Sequence, residues 1–105
     1  MKFLVTARNN DAYYALPLET RMELMQGAVA FIEKNRAAGK CKEVYFHGDM
    51  KGSVVIWEVS SDQEVTRDLI ENPMWLYTDY DIRPLIEWDA ALKVVTKYYK
   101  QAVKK

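Results

Sequence analysis

Glu43-Val44-Tyr45-Phe46-His47-Gly48-Asp49-Met50-Lys51-Gly52-Ser53-Val54-Val55-Ile56-Trp57-Glu58-Val59 is the stretch on which the fold turns. Glu43 to His47 and Ser53 to Val59 are rich in β-branched and aromatic residues and read as two strands. Gly48 to Gly52 is turn material, so the pair makes a hairpin. Before the hairpin, Gly39 follows Ala38 and marks a helix end. The helix it ends has Pro17 in its first turn and capping-box spacing at Thr20 and Glu23. Met22, Met25, Val29 and Ile32 recur at helical spacing, and Leu24, Ala28 and Phe31 widen the stripe. Lys2 to Arg8 reads as a first strand with Phe3, Val5 and Ala7 on one face. A polar turn at Arg8 to Asp11 and a loop at Tyr13 to Pro17 join that strand to the helix.

On the other side of the hairpin, Ser61 and Glu64 form a second capping box. A short helix with Val65, Leu69 and Ile70 ends at Asn72-Pro73, because the residue before proline avoids helical angles. Tyr77 to Glu87 reads as the last strand. Asp89 then caps a helix running to about Gln101 and carrying Leu92, Val95 and Tyr99. The order β-α-β-β-α-β is the ferredoxin-like, α+β arrangement, here with an added C-terminal helix. Two helices cover one sheet face. The other face needs cover, and the sheet of a second copy supplies it in a dimeric α/β barrel.

A chain of 105 residues suits one domain, spanning 1–105. Fifteen basic and fifteen acidic residues cancel, which argues against a nucleic-acid partner with its usual basic stripe. No window approaches the roughly 18 apolar residues of a membrane span, and the first residues are too short an apolar run for a signal peptide. A cytoplasmic protein with no membrane partner is expected. The single cysteine, Cys41, excludes an internal disulfide and a multi-cysteine zinc site. It lies between Lys40 and Lys42, which can lower a thiol pKa, although a structural cysteine is the plainer reading. One histidine and scattered carboxylates show no metal-ligand spacing. Gly48 to Gly52 is a turn and not a phosphate loop. No metal and no cofactor are expected.

His47 is the one histidine, and its unperturbed pKa near neutrality suits a proton shuttle. It stands beside Asp49, which can orient the ring; the alternative is a surface histidine at a hairpin turn. Tyr45, Trp57, Trp75, Tyr77 and Tyr80 are many aromatics for a short stretch. They suit either the walls of a small-molecule cavity or a core and subunit interface. Tyr77, Asp79, Asp81 and Arg83 alternate and project from one face of the last strand, with Thr78, Tyr80 and Ile82 on the other. Paired carboxylates on one face can include an acid of raised pKa, or they can form ion pairs at an interface.

The stretch Glu71-Asn72-Pro73-Met74-Trp75-Leu76-Tyr77-Thr78-Asp79-Tyr80-Asp81-Ile82-Arg83-Pro84-Leu85 resembles the muconolactone isomerase family. Ser60-Ser61-Asp62 and the glycine turn near Gly48 resemble it too, and the element order matches across roughly residues 1 to 88. The resemblance implies a ferredoxin-like dimeric barrel and a cofactor-free isomerase that moves a double bond by proton transfer beside a carbonyl. An arginine on the family's second strand falls near Phe46 here, a departure in the charged part of the family's site. The expected site is a cleft between the first long helix and the sheet. Tyr45, Trp57, Trp75 and Tyr77 would be its substrate-binding walls, and His47 and Asp79 its catalytic groups. The expected partners are a small unsaturated acid or lactone and a second copy of the chain, in a homodimer or higher homo-oligomer. The alternative is a homo-oligomer that binds a small ligand without turnover, or serves a structural or regulatory role.

Overall fold

A computed structural model describes residues 1–104. Strand β1 (Lys2–Asn9) is followed by a single helical turn, α1 (Asp11–Tyr14), and a long helix, α2 (Leu18–Ala37). The hairpin strands are β2 (Cys41–Phe46) and β3 (Gly52–Glu58). Helix α3 (Asp62–Ile70), a 3-10 turn (Trp75–Tyr77), strand β4 (Thr78–Leu85) and helix α4 (Trp88–Val103) complete the chain. The sheet order is β2-β3-β1-β4, and every neighbouring pair is antiparallel. This is the ferredoxin-like fold expected from the element order.

Register assigns the faces. Phe3 lies opposite Trp57 and Pro84, Val5 opposite Val55 and Ile82, and Ala7 opposite Ser53 and Tyr80. These rows face the helices. Phe3, Val5, Val55 and Trp57 form the core with Phe31 of α2 and Val65 and Leu69 of α3. Leu4, Thr6, Arg8, Val54, Ile56, Asp79 and Asp81 occupy the alternate positions and make the opposite face of the sheet. Gly52 lies against β1, where a Cβ would collide with the Ala7 carbonyl oxygen.

Several elements depart from the sequence reading. The stretch expected to be a loop opens with α1, because Asn10 caps it by accepting the Tyr13 N–H. Helix α2 starts at Leu18, so Thr20 lies inside it and not at its cap. Pro17 fixes the starting backbone angle and no side chain caps the end. The buried face of α2 is rotated from the expected stripe: Phe31 and Asn35 point inward, while Met22 and Val29 are 58% and 48% exposed. Asn35 is satisfied there by donating to the Phe31 carbonyl at 2.8 Å. Strand β2 stops at Phe46, which leaves His47 in the turn, with Met50 at φ 61°. Tyr77 belongs to the 3-10 turn and so leaves the alternation of β4. Helix α4 starts at Trp88, one residue before Asp89, and Glu87 at its cap makes no side-chain bond.

Helix α4 does not dock on its own protomer: none of its residues is buried. The radius of gyration, 17.5 Å, exceeds the ~13 Å of a compact chain of this length, and the long axis is 63 Å. The family of exposed apolar residues Trp88, Leu92, Val95 and Tyr99 therefore faces away from this core.

The Ser61 capping box is formed. Its hydroxyl accepts the Glu64 N–H at 3.2 Å, and the Glu64 carboxylate returns to the Ser60 N–H at 2.7 Å. Lys40 closes the cluster at 2.9 Å from Asp68 and 3.4 Å from Glu64. The Ser60 hydroxyl and N–H, followed by Lys40, hold the Glu64 carboxyl down at about 2, against the usual value of about 4.3. A depressed folded-state pKa contributes stability above the unfolded value, and that stability is lost as pH falls through the folded one. Thermal melts are therefore expected to lose stability between about pH 4.5 and about pH 2. Glu64→Gln should flatten that part of the profile. An unchanged slope in the variant would remove Glu64 as its source.

Candidate functional site

Between α2 and the helix-facing side of the sheet lies a cavity of about 310 Å³. Its position follows from the fold. Helix α2 crosses the sheet with Met25, Ala28 and Ile32 lining the space above β1 and β3, which they leave unfilled. The lining is mostly apolar, with Val5, Phe31, Val44, Val55 and Trp57 at its floor and walls.

Hydrogen-bonding side chains stand at the Tyr80 end, and a fully buried indole lies within the wall at the other. At one end Asn72 donates to the Tyr80 hydroxyl at 3.0 Å, and Thr78 sits beside them, its hydroxyl donating to the Met74 carbonyl at 2.8 Å. Asn72 is held in turn by accepting the Met74 N–H at 2.9 Å. The Tyr80 hydroxyl accepts from Asn72 and so keeps its own proton to donate. Burial raises its pKa, with the Asn72 bond opposing, so it stays a phenol at neutral pH. At the other end is Trp57, fully buried at 0% exposure. Its indole N–H has no partner among the described residues. A buried donor left unpaired costs about 1–3 kcal/mol. The Arg36 guanidinium lies at this end too, since its charge acts on Cys41, and Cys41 is the β2 partner of Trp57. Arg36 is 55% exposed and paired with Glu33 at 3.1 Å. Desolvation pushes the Cys41 thiol up to about 12, so it is a core thiol and not a nucleophile at neutral pH.

Of the residues expected at the site, Trp57 lines the cavity. Tyr45 touches its rim, but Tyr45 is paired with Val54 and its ring stands on the opposite sheet face, where the hydroxyl donates to Glu43 at 3.3 Å. Trp75 stands behind Tyr80, stacked on it with centroids 5.5 Å apart. Tyr77, in the 3-10 turn, is half-buried outside the lining. His47 and Asp79 gather elsewhere, around Arg8. His47 Nδ1 is 2.8 Å from Arg8 Nη1, Asp49 is 2.7 Å from Arg8 Nη2, and Asp79 is the β4 partner of Arg8. The Arg8 guanidinium holds the Asp49 carboxyl below the usual carboxylate range, with the Lys51 N–H adding to the effect. An arginine only donates, so Nδ1 of His47 accepts and the neutral ring carries its proton on Nε2. His47 stays close to the cavity mouth all the same, because Phe46 and Met50 on either side of it both line the cavity. The arrangement thus has an apolar chamber with the Tyr80 hydroxyl as a donor at one end, and a separate Arg8–His47–Asp49 cluster beside the mouth.

Tyr80, Asn72 and Arg8 carry much of this geometry; the sequence offered Tyr80 only as one of several aromatics suited to a cavity wall, and Asn72 and Arg8 no site role. Tyr80 was legible as an aromatic on the inner face of β4. The Asn72 and Arg8 contacts span 8 and 39 residues and left no local signal. Among the described residues no cluster of three His, Cys, Asp or Glu side chains could hold a metal ion. No described helix is long and apolar enough to cross a membrane.

Comparison with known proteins gives two findings. A family model described as muconolactone delta-isomerase matches residues 1–91. The solved structure of 5-chloro-2-hydroxyhydroquinone dehydrochlorinase from Burkholderia phenoliruptrix AC1100, in complex with 2,5-dihydroxybenzoquinone, superposes with a TM-score of 0.67. The match is 19% identical and covers 86% of this chain and 98% of that one, a likeness of fold. No curated protein matches the sequence.

Proposed function

The chain belongs to the muconolactone delta-isomerase family, and from that premise we propose that it is a cofactor-free isomerase acting by proton transfer on a small unsaturated acid or lactone. The observation that supports this reading is the apolar cavity under α2, with the Tyr80 hydroxyl as a donor at one end. A phenol held by Asn72 can hydrogen-bond a substrate carbonyl and stabilise the enolate oxygen that forms when a neighbouring carbon loses its proton. In the proposal His47 carries the proton at the mouth, and Asp79 acts on it through Arg8. Trp57 forms part of the chamber's wall from within the core, Trp75 backs Tyr80, and Tyr45 and Tyr77 shape the approach. The dehydrochlorinase, solved with a small quinone, is a protein of this fold that receives a small unsaturated ring.

One observation favours a second reading, a binder without turnover. The His47 ring is turned to Arg8 and not into the chamber. In either reading residues 1–105 act as one domain, and a second copy covers the face of the sheet that carries Leu4, Val54 and Ile56.

The test is a panel of small lactones and unsaturated acids incubated with the protein in heavy water. Proton NMR should show deuterium entering beside the carbonyl and the double bond shifting. Ala28→Trp fills the chamber and should abolish both. Turnover that survives in a folded Ala28→Trp protein would place the chemistry outside the cavity. Binding in the wild type, blocked by the same substitution, with no exchange would establish the second reading.

A further inference from the structure

Gly27 stands in the interior of α2, where glycine weakens a helix relative to alanine. Something other than helix formation keeps the position bare, and Pro73 is what it meets. A Cβ at Gly27 would stand 2.9 Å from Cγ and 3.4 Å from Cβ of Pro73, the first closer than side-chain carbons pack. Pro73 lies inside the turn that carries Asn72. The Asn72 side chain accepts the Met74 N–H at 2.9 Å, and its carbonyl accepts the Trp75 N–H at 2.9 Å. The same side chain donates to the Tyr80 hydroxyl at 3.0 Å. The proline ring and the Asn72 carboxamide are therefore parts of one short, stiff unit, and what displaces the ring displaces the amide.

The surroundings decide which side would yield to a larger residue. Helix α2 is anchored on both sides of Gly27. Toward its start the Tyr13 hydroxyl donates to the Arg21 carbonyl at 3.2 Å, and toward its end Phe31 and Asn35 are buried. The far end of the turn is pinned as well. The Asn10 side chain donates to the Leu76 carbonyl at 3.2 Å, and the Asn10 N–H to the Tyr77 carbonyl at 2.9 Å. Pro73, with Asn72 beside it, is the part left to move. Resting on the reading of Tyr80 as the donor to the substrate oxygen, we infer that Gly27 is a positioning residue: it lets the Pro73 ring pack on bare helix backbone and so holds the Asn72 carboxamide on the Tyr80 hydroxyl. That bond fixes the side from which the hydroxyl accepts, and leaves its own proton to be donated elsewhere. Neither Gly27 nor Pro73 lines the cavity, so the effect passes through Asn72.

The Asn72 carboxamide protons report the bond in the ¹⁵N-labelled protein without any ligand. Tyr80→Phe removes the acceptor and marks where those protons stand unbonded. Gly27→Ala is expected to move the bonded proton upfield toward that mark and to speed its exchange with water. The fold should hold, because alanine favours the helix. Added to a Pro73→Ala protein, the same substitution should move nothing, since only the ordinary Cβ contact at 3.4 Å remains there. A second readout uses 2(5H)-furanone in heavy water as the probe. At saturating probe, Gly27→Ala should slow deuterium entry by about 10- to 100-fold with half-saturation little changed, the cost of a misplaced donor. The carboxamide shifts decide the positioning role whether or not furanone exchanges. An Asn72 signal left in place by Gly27→Ala would overturn that role, while Tyr80→Phe would still test Tyr80 on its own. Equal displacement with and without the proline ring would overturn the Pro73 contact as its cause. A displaced signal with undiminished deuterium entry would overturn the part of Tyr80 in the chemistry.

Discussion

With a substrate in hand, His47→Ala is expected to lower kcat by about 100- to 10,000-fold in a protein that still folds, the usual contribution of a positioned acid or base. The fold should survive because the residue lies in a turn, and its ring bonds only to Arg8 on the surface. Tyr80→Phe is the matching variant. If the phenol stabilises the developing oxyanion, its loss should lower kcat by about 100- to 1,000-fold with KM little changed. The two losses separate the proposed roles. A proton carrier shapes the pH profile of kcat, whereas an oxyanion donor lowers the whole profile. Arg8→Ala adds a third arm. Arg8 holds Nδ1 of His47, so its removal frees the ring to present that nitrogen as a base. Full turnover in folded His47→Ala would take His47 out of the mechanism and leave Tyr80 as the leading polar group. Full turnover in Tyr80→Phe as well would move the chemistry away from the chamber's Asn72 end.

What could be read from the sequence was what local rules fix. The hairpin and the Ser61–Glu64 cap each rest on a few adjacent residues and formed as expected, and α3 stops at Ile70, two residues ahead of the expected Asn72-Pro73. The same rules misled where a stronger neighbour intervened. Thr20 and Glu23 have the right spacing for a cap, but Pro17 presets the helix start earlier, at Leu18. Tyr77 fits the alternation of β4 on paper. The turn that begins at Asn72 continues through it instead, with the Tyr77 N–H donating to the Met74 carbonyl. The site shows the same division. The expected cleft under the long helix, with Trp57 among its walls, rested on the surplus of aromatics, the single imidazole and the family resemblance. The Asn72–Tyr80 and Arg8–His47 contacts depend on strand register and on how a proline turn returns the chain, and single-residue patterns hold no record of either.

Removing residues 89–105 is expected to weaken self-association by roughly 100-fold or more, or to lower the melting temperature of the assembly. The motive is an amphipathic helix with nothing to pack on. Leu92, Val95 and Tyr99 recur on one side of α4 and are 49%, 48% and 63% exposed on the lone protomer. Burying the exposed half of such side chains stabilises by about 1 kcal/mol each, so three of them contribute about 3 kcal/mol, or roughly 100-fold in an association constant. In a symmetric pair the contact occurs twice, which raises the effect. The sheet asks for the same partner: Leu4, Val54 and Ile56 lie on the face that the helices leave open, and each is only half-buried. Leu92→Asp with Val95→Asp tests the helix without shortening the chain, because both side chains are solvated in the protomer and their replacement costs the monomer little. Sedimentation at micromolar concentration should show a dimer or larger species for the full chain and a shift toward monomer for both variants. A full chain that sediments only as a monomer would sink the covered-sheet proposal. A stable dimer whose association and melting are unchanged by the deletion would keep the sheet interface and remove α4 from it.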